Sequence, residues 1–283
     1  MNGILFLSLT ILFSSGVALT VKVANTRALN LWHFLVVNYA VCTASLMAWG
    51  AWQHIGSISP KIWFLGIFVG CMYVVCLWLF DKAMTAGGLA LSTTLMRLSA
   101  AIPTLGSLLL YAEKSTPVQM FGMALAFCCL PLASREPLFS RQRAIKALRG
   151  MMWGVLLFTA YGLTDFSFKI LAELDPQADP KFFMVPIFCT ALLVTLPTLL
   201  KQGKPGKPSL VWGSLLGITN VLTTFFWFKA LALIPGSIAF PTLGLGVIAI
   251  TTVAGLVIWH EKLRPANYIF LALACISVFL INV

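Results

Sequence analysis

Charge is what this sequence has least of. Charged residues make up 10% of its 283 positions, against about 25% in a soluble domain. Acidic side chains are scarcest, with eight Asp and Glu against nineteen Lys and Arg. So little charge excludes an ordinary water-soluble globular protein and a disordered tail. The seven cysteines, Cys42, Cys71, Cys76, Cys128, Cys129, Cys189 and Cys275, all fall inside apolar runs. No pair has metal-finger spacing with His partners, so they read as small apolar residues in helix packing. There is no Gly-x-x-x-x-Gly-Lys-Ser/Thr pattern, which argues against ATP-driven work within this chain. There is no Gly-x-Gly-Asp or Gly-x-Ser-x-Gly pattern either, and His260-Glu261 lacks the second His of a metalloprotease helix. An intramembrane enzyme is therefore disfavoured, and no cofactor and no metal are expected. A net charge of +11 comes without a nucleic-acid reader motif, so no nucleic-acid partner is expected.

What is present is apolar surface in long unbroken runs. Hydrophobic residues reach 60% and mean hydropathy is +0.96. A helix crossing a hydrocarbon core of about 30 Å needs about 20 residues at roughly 1.5 Å each. Transmembrane β-barrels need alternation in segments of about ten residues, which is not seen. Charge-free stretches place spans at about 3–22, 32–53, 62–81, 88–110, 117–134, 150–171, 181–201, 209–230, 236–259 and 265–282. Met1 to Val21 has no basic residue before it and reads as the first span, retained rather than cleaved. Pro60, Gly87-Gly88, Pro117, Pro176, Pro180, Pro205, Pro208, Pro235-Gly236 and Pro265 mark several joints.

The longest polar connection, 135–149, lies halfway along and carries Arg135, Arg141, Arg143, Lys146 and Arg149. It separates two similar halves, 1–134 and 150–283. Gly66 and Gly70 match Gly213 and Gly217 at an offset of 147, as Lys82-Ala83-Met84 matches Lys229-Ala230-Leu231. With a one-residue gap, Gly88 matches Gly236, and Glu113-Lys114 with Pro117 matches Glu261-Lys262 with Pro265. The expected fold is an all-α polytopic membrane protein, ten transmembrane helices as two five-helix repeats. Five is odd, so the second repeat enters the membrane from the opposite side. Inverted repeats of this kind are typical of secondary transporters.

These landmarks resemble the drug/metabolite transporter superfamily, in its ten-helix EamA-like branch. The Lys-Ala-Met and Lys-Ala-Leu endings carry the resemblance, with the Gly after them, the Glu closing spans four and nine, and the Pro and Gly of the next helix. The resemblance covers nearly the whole chain. It implies a central cavity between the halves, alternating access and a small-molecule substrate, drawn from amino acids, other metabolites, nucleotide sugars or cationic drugs. It also implies both termini in the cytoplasm, whereas the Lys/Arg count favours both outside. With the N-terminus outside, thirteen basic residues face the cytoplasm and five the other side. The expected location is a bacterial inner membrane, with lipids as neighbours. A dimer is not required, because one chain holds both repeats.

Candidate substrate-binding residues follow from polarity inside spans. Arg97, in span four, is costly at membrane depth and suits a carboxylate or phosphate in fork geometry. The alternative is an Arg bonded to backbone carbonyls or a structural acid. Asp165, in span six, suits a substrate ammonium or a coupling proton, or is neutralised by Lys169 one turn on. Tyr161 shares its face. Tyr73 follows Gly66 and Gly70 on one face of span three, and Asn220 follows Gly213 and Gly217 on one face of span eight. Those faces serve packing or a cavity wall, and Asn38 in span two is similar. Trp78, Trp227 and Trp153 offer rings for a flat or cationic substrate, or for an interfacial belt. Pro103 and Pro241 break backbone bonding inside spans four and nine, where helices bend or gate. Lys82, Lys229, Glu113 and Glu261 sit at helix ends, reaching headgroups or pairing locally.

Arg97 with Asp165 fits a zwitterion, so the expected function is a secondary transporter of a small polar metabolite, leaning to amino acids. Exporters of hydrophobic cations, or of organic anions and phosphorylated metabolites, are the alternatives. A non-transporting scaffold is disfavoured because no large loop or extra domain is present.

Overall fold

A computed structural model describes residues 2–50, 58–87, 95–96, 98–129, 144–174, 179–260 and 265–282. Arg97, Gly88, Glu261 and most of the 135–149 connection lie outside the described residues. The described chain is helical throughout. The helices are α1 (Asn2–Thr26), α2 (Leu31–Ala48), α3 (Pro60–Gly87), α4 (Ala101–Leu110), α5 (Pro117–Cys129) and α6 (Ala144–Leu174). There follow α7 (Pro180–Thr195), α8 (Pro197–Gln202), α9 (Lys207–Leu231), α10 (Gly236–Trp259) and α11 (Pro265–Asn282). Taking α7 and α8 as one helix broken at Leu196, the described residues form ten helical segments, each overlapping one expected span. Among the described residues seven helices are long and apolar enough to cross a membrane. The protein is an integral, multi-pass membrane protein.

Local chemistry sets where helices begin. Asn30 caps α2, its side chain accepting from the backbone N–H groups of Trp32 (3.0 Å) and His33 (3.3 Å). Asp179 accepts from the Lys181 N–H at 3.0 Å ahead of Pro180 in the first turn of α7. Thr116 and Gln119 form a reciprocal capping box at α5, at 3.0 and 3.2 Å. Inside the spans, hydroxyls bond back to the carbonyl four residues earlier, as at Thr10, Ser15, Thr20, Thr164 and Thr195. Such bonds satisfy polar groups where water is absent. Large apolar side chains stay uncovered, among them Phe64 (76%), Leu109 (79%) and Phe279 (68%). In water they would form a sticky patch; in a bilayer they face the solvent they match.

The chain forms two compact units, Met1–Val74 with Ile170–Leu233, and Val75–Lys169 with Ile234–Val283. Each draws on both halves of the sequence. In the first unit, α9 packs on α1 and α2, and α2 on α7. Glycine permits the closest approaches. A methyl on Gly213 would stand 2.7 Å from Val37 Cβ, and one on Gly217 2.8 Å from the Asn38 carbonyl oxygen. Likewise one on Gly66 would meet Pro186 Cβ at 2.6 Å, and one on Gly70 Thr190 Cβ at 2.8 Å. Thus α3 rests on α7 and α9 rests on α2, each through a pair of glycines four residues apart. These glycines serve packing.

In the second unit, α5 packs on α11 and α10 packs on α4, α5 and α11. Ser277 Oγ donates to the Gly122 carbonyl at 2.7 Å. Met123, Ala126, Cys129, Leu245, Ala274 and Ile281 form its apolar core.

Candidate functional site

The candidate residues divide between the two units. Asn38, Tyr73, Asn220 and Trp227 belong to the first; Trp78, Pro103, Tyr161, Asp165 and Pro241 belong to the second.

In the first unit, Asn38 is 1% exposed. Its Oδ1 accepts from Asn220 Nδ2 at 3.4 Å. Cys42 Sγ donates to the Gly217 carbonyl at 3.4 Å. This small neutral network sits where Gly217 brings α9 onto α2, and it favours the packing role for Asn38. Tyr73 stacks with the buried Tyr39 at 6.5 Å and tilts against Phe188 at 6.2 Å. Trp227 is buried beside Phe228, whose ring lies 5.1 Å from Phe183.

In the second unit, the later turns of α3 meet α6. Leu79, Ala83 and Leu157 are buried, with Met96, Trp153 and Tyr161 packed against them. Trp78 meets Trp153 edge to face at 5.7 Å, and Lys82 Nζ lies 6.0 Å from the Trp78 ring centre. Cys76 Sγ is 3.5 Å from Thr164 Oγ1, and Asp165, the next residue, acts electrostatically on the same thiol. Asp165 is half-buried, one turn beyond Tyr161. Aromatic rings and a carboxylate thus lie on neighbouring turns where α3 meets α6, and both are groups that attract a cation. Leu95 would touch a methyl placed on Gly154 of α6, so both described residues before Arg97 pack on this helix.

Lys169 has a partner that the sequence order did not offer. Its ammonium is 2.9 Å from Glu113 Oε1, with the two side chains 3% and 11% exposed. Glu113 Oε1 also accepts from the Gly236 N–H at 2.8 Å. Glu113 Oε2 accepts from the Ser237 N–H at 2.8 Å and from Ser237 Oγ at 2.7 Å. All four acceptor positions of the carboxylate are thereby filled. Lys169 Nζ also lies 5.4 Å from the Tyr111 ring centre. Ala112, just before Glu113, has φ +49°, an uncommon value for a residue with a side chain. Burial pushes the Glu113 carboxyl up, but the Ser237 hydroxyl and N–H, Lys169 and the Gly236 N–H outweigh it and hold it below its ordinary value.

Sequence reasoning placed Glu113 at a helix end with a headgroup or local partner and missed this junction. The signal was available. Lys169 stands at offset 147 from Lys22, the offset relating Gly66 to Gly213. Lys, Glu and Gly thus recur in the same order in both halves. Among the described residues no group of His, Cys, Asp and Glu is arranged to hold a metal ion.

Residues 148–283 match the model of the EamA-like transporter family. The match covers the second half of the chain, and the family it describes is one of transporters. An uncharacterised protein of Haemophilus influenzae is 23% identical over 223 residues, covering 78% of this chain and 74% of that protein. A solved crystal structure superposes with a TM-score of 0.78 at 14% identity, covering 98% of this chain and 95% of the other. That likeness shows the chain to share a known fold along nearly its whole length.

Proposed function

We propose that this protein is a secondary transporter that carries a small zwitterionic metabolite, an amino acid or a close relative, by alternating access, as its resemblance to the EamA-like transporter family suggests. The observation that carries the reading is the meeting of α3 and α6. Asp165 stands half-buried one turn from Tyr161, in a unit where Tyr161 packs with Trp153 and Trp153 meets Trp78. A carboxylate among aromatic faces suits a substrate ammonium. Arg97 supplies the complementary charge for a carboxylate, an assignment that rests on sequence. A proton on Asp165 is the candidate coupling ion.

A thermal-stability screen of the purified protein tests this. The probes are the twenty amino acids, dicarboxylates, sugar phosphates and tetraphenylphosphonium. A ligand binding only the folded state stabilises it by RT ln(1 + [L]/Kd), about 2.7 kcal/mol at a hundredfold excess over Kd. Amino acids are expected to raise the melting temperature of the wild type and to leave Asp165→Asn and Arg97→Gln unshifted. A shift by tetraphenylphosphonium alone replaces the zwitterion with a hydrophobic cation. A shift by sugar phosphates that survives Asp165→Asn moves the reading to an anion.

A further inference from the structure

The first turn of α10 is weakly attached to its own helix. Pro241 has no N–H, so the Ser237 carbonyl loses its partner four residues on. At the other end the N–H groups of Gly236 and Ser237 begin a helix and have no carbonyl within it to reach. Both are taken instead by Glu113, which comes from the connection between α4 and α5. Glu113 is itself held by Lys169 of α6. One carboxylate therefore joins three elements of the second unit at a turn that proline has separated from the rest of its helix.

A second observation marks this turn as more than a fixed cap. Ser107 is fully buried and lies directly against Gly236, yet its hydroxyl has no hydrogen-bond partner among the described residues. Thr242, just beyond Pro241, likewise has a buried hydroxyl without a partner among the described residues. Buried hydroxyls of native proteins are paired as a rule. Two unpaired ones bracketing a proline-hinged turn fit a turn with a second position, in which those hydroxyls find acceptors.

We propose that Glu113 and Lys169 are positioning residues for transport: they form a catch on the Gly236–Phe240 turn, and its hold on that turn is needed for turnover. Glu113 touches the turn, Lys169 holds Glu113, and neither acts on the substrate directly. This rests on the protein being a transporter, and the test separates the two ideas.

Hydrogen exchange of the full-length protein in nanodiscs reads the catch without any substrate. Glu113→Gln keeps the volume and removes the charge. It is expected to speed exchange of the amides of residues 236–240 by roughly tenfold or more, since bonds to charged acceptors are the strong ones. Exchange in α5 and α11 of the same unit should stay at the wild-type rate. Ser237→Ala, which removes one donor and leaves both charges, should give a smaller local acceleration, and Lys169→Arg should stay near wild type. Unchanged exchange at 236–240, or uniform acceleration across the unit, overturns the catch. Counterflow of a uniformly 14C-labelled amino-acid mixture in liposomes reads the role in transport. The expected result for Glu113→Gln is a maximal rate at least tenfold lower with the half-saturating concentration within twofold. An unaltered maximal rate overturns the positioning role. If the wild type moves none of the mixture, the zwitterion reading fails, and the exchange result still decides the catch.

Discussion

The two compact units solve the same problem with different chemistry. In the first, buried polarity at the helix contacts is neutral: Asn38, Asn220 and the Cys42 thiol bond where Gly217 meets α2. In the second, it includes a buried ion pair, Lys169 with Glu113, and the half-buried Asp165. Neutral contacts through glycine make a scaffold that depends on shape. Buried charge makes a junction that depends on protonation and partners, which is the property a working part needs. Under the proposed function, scaffolding falls to the first unit and charge-dependent work to the second.

The largest effect should come from opening the ion pair on one side. Lys169→Met leaves the Glu113 carboxylate buried without its counter-charge, and a broken buried pair costs about 3–5 kcal/mol. Denaturant unfolding in mild detergent measures it. Glu113→Gln combined with Lys169→Met should cost less than Lys169→Met alone. Equality of the two would remove the charge argument.

Next in size is Gly217→Ala in the first unit. The new methyl would meet Val41 Cβ at 2.7 Å and the Asn38 carbonyl oxygen at 2.8 Å, an overpacking of about 1–3 kcal/mol. Gly244→Ala is its control in the second unit. A methyl there meets nothing within 4 Å, and helix propensity favours alanine by up to about 1 kcal/mol. Melting temperatures should therefore move in opposite directions.

Acid should act through the second unit. The Glu113 carboxyl is held below its ordinary value, so it binds a proton less readily folded than unfolded. Its stabilisation is complete above the unfolded pKa of about 4.3 and is lost as pH falls through the lower folded value. Melting curves from pH 7 to pH 3 should show a steeper acid decline for the wild type than for Glu113→Gln. Parallel declines would mean that Glu113 is not the group responsible.

The smallest effect is expected at Asn220→Leu. Its bond to Asn38 is 3.4 Å long, and hydrogen bonds between membrane helices average about 0.6 kcal/mol. A loss of several kcal/mol would make the neutral network as decisive as the ion pair, and the contrast between the units would dissolve.

The spans were legible because periods of charge-free sequence must match bilayer thickness, and Pro and Gly punctuate the joints. The glycine spacing was legible too: Gly66, Gly70, Gly213 and Gly217 stand where another helix comes close. The partners of those glycines were not, because contacts of α3 with α7 and of α9 with α2 are set by folding, not by neighbourhood in the chain. The same limit hid Glu113. Its partners, Lys169, Gly236 and Ser237, lie 56 to 124 residues away, beyond the reach of any pattern within one helix. The aromatic cluster was half legible. Trp78, Trp153 and Tyr161 stood out as residues, but only the folded α3 and α6 bring them together.

The most direct test of the account is counterflow of the 14C-labelled amino-acid mixture into liposomes carrying the purified protein. The account predicts saturable exchange that unlabelled amino acids compete away, lost in Asp165→Asn and preserved in Asn220→Leu. Exchange that persists in Asp165→Asn and disappears in Asn220→Leu would contradict it, because the work would then belong to the unit assigned as scaffold.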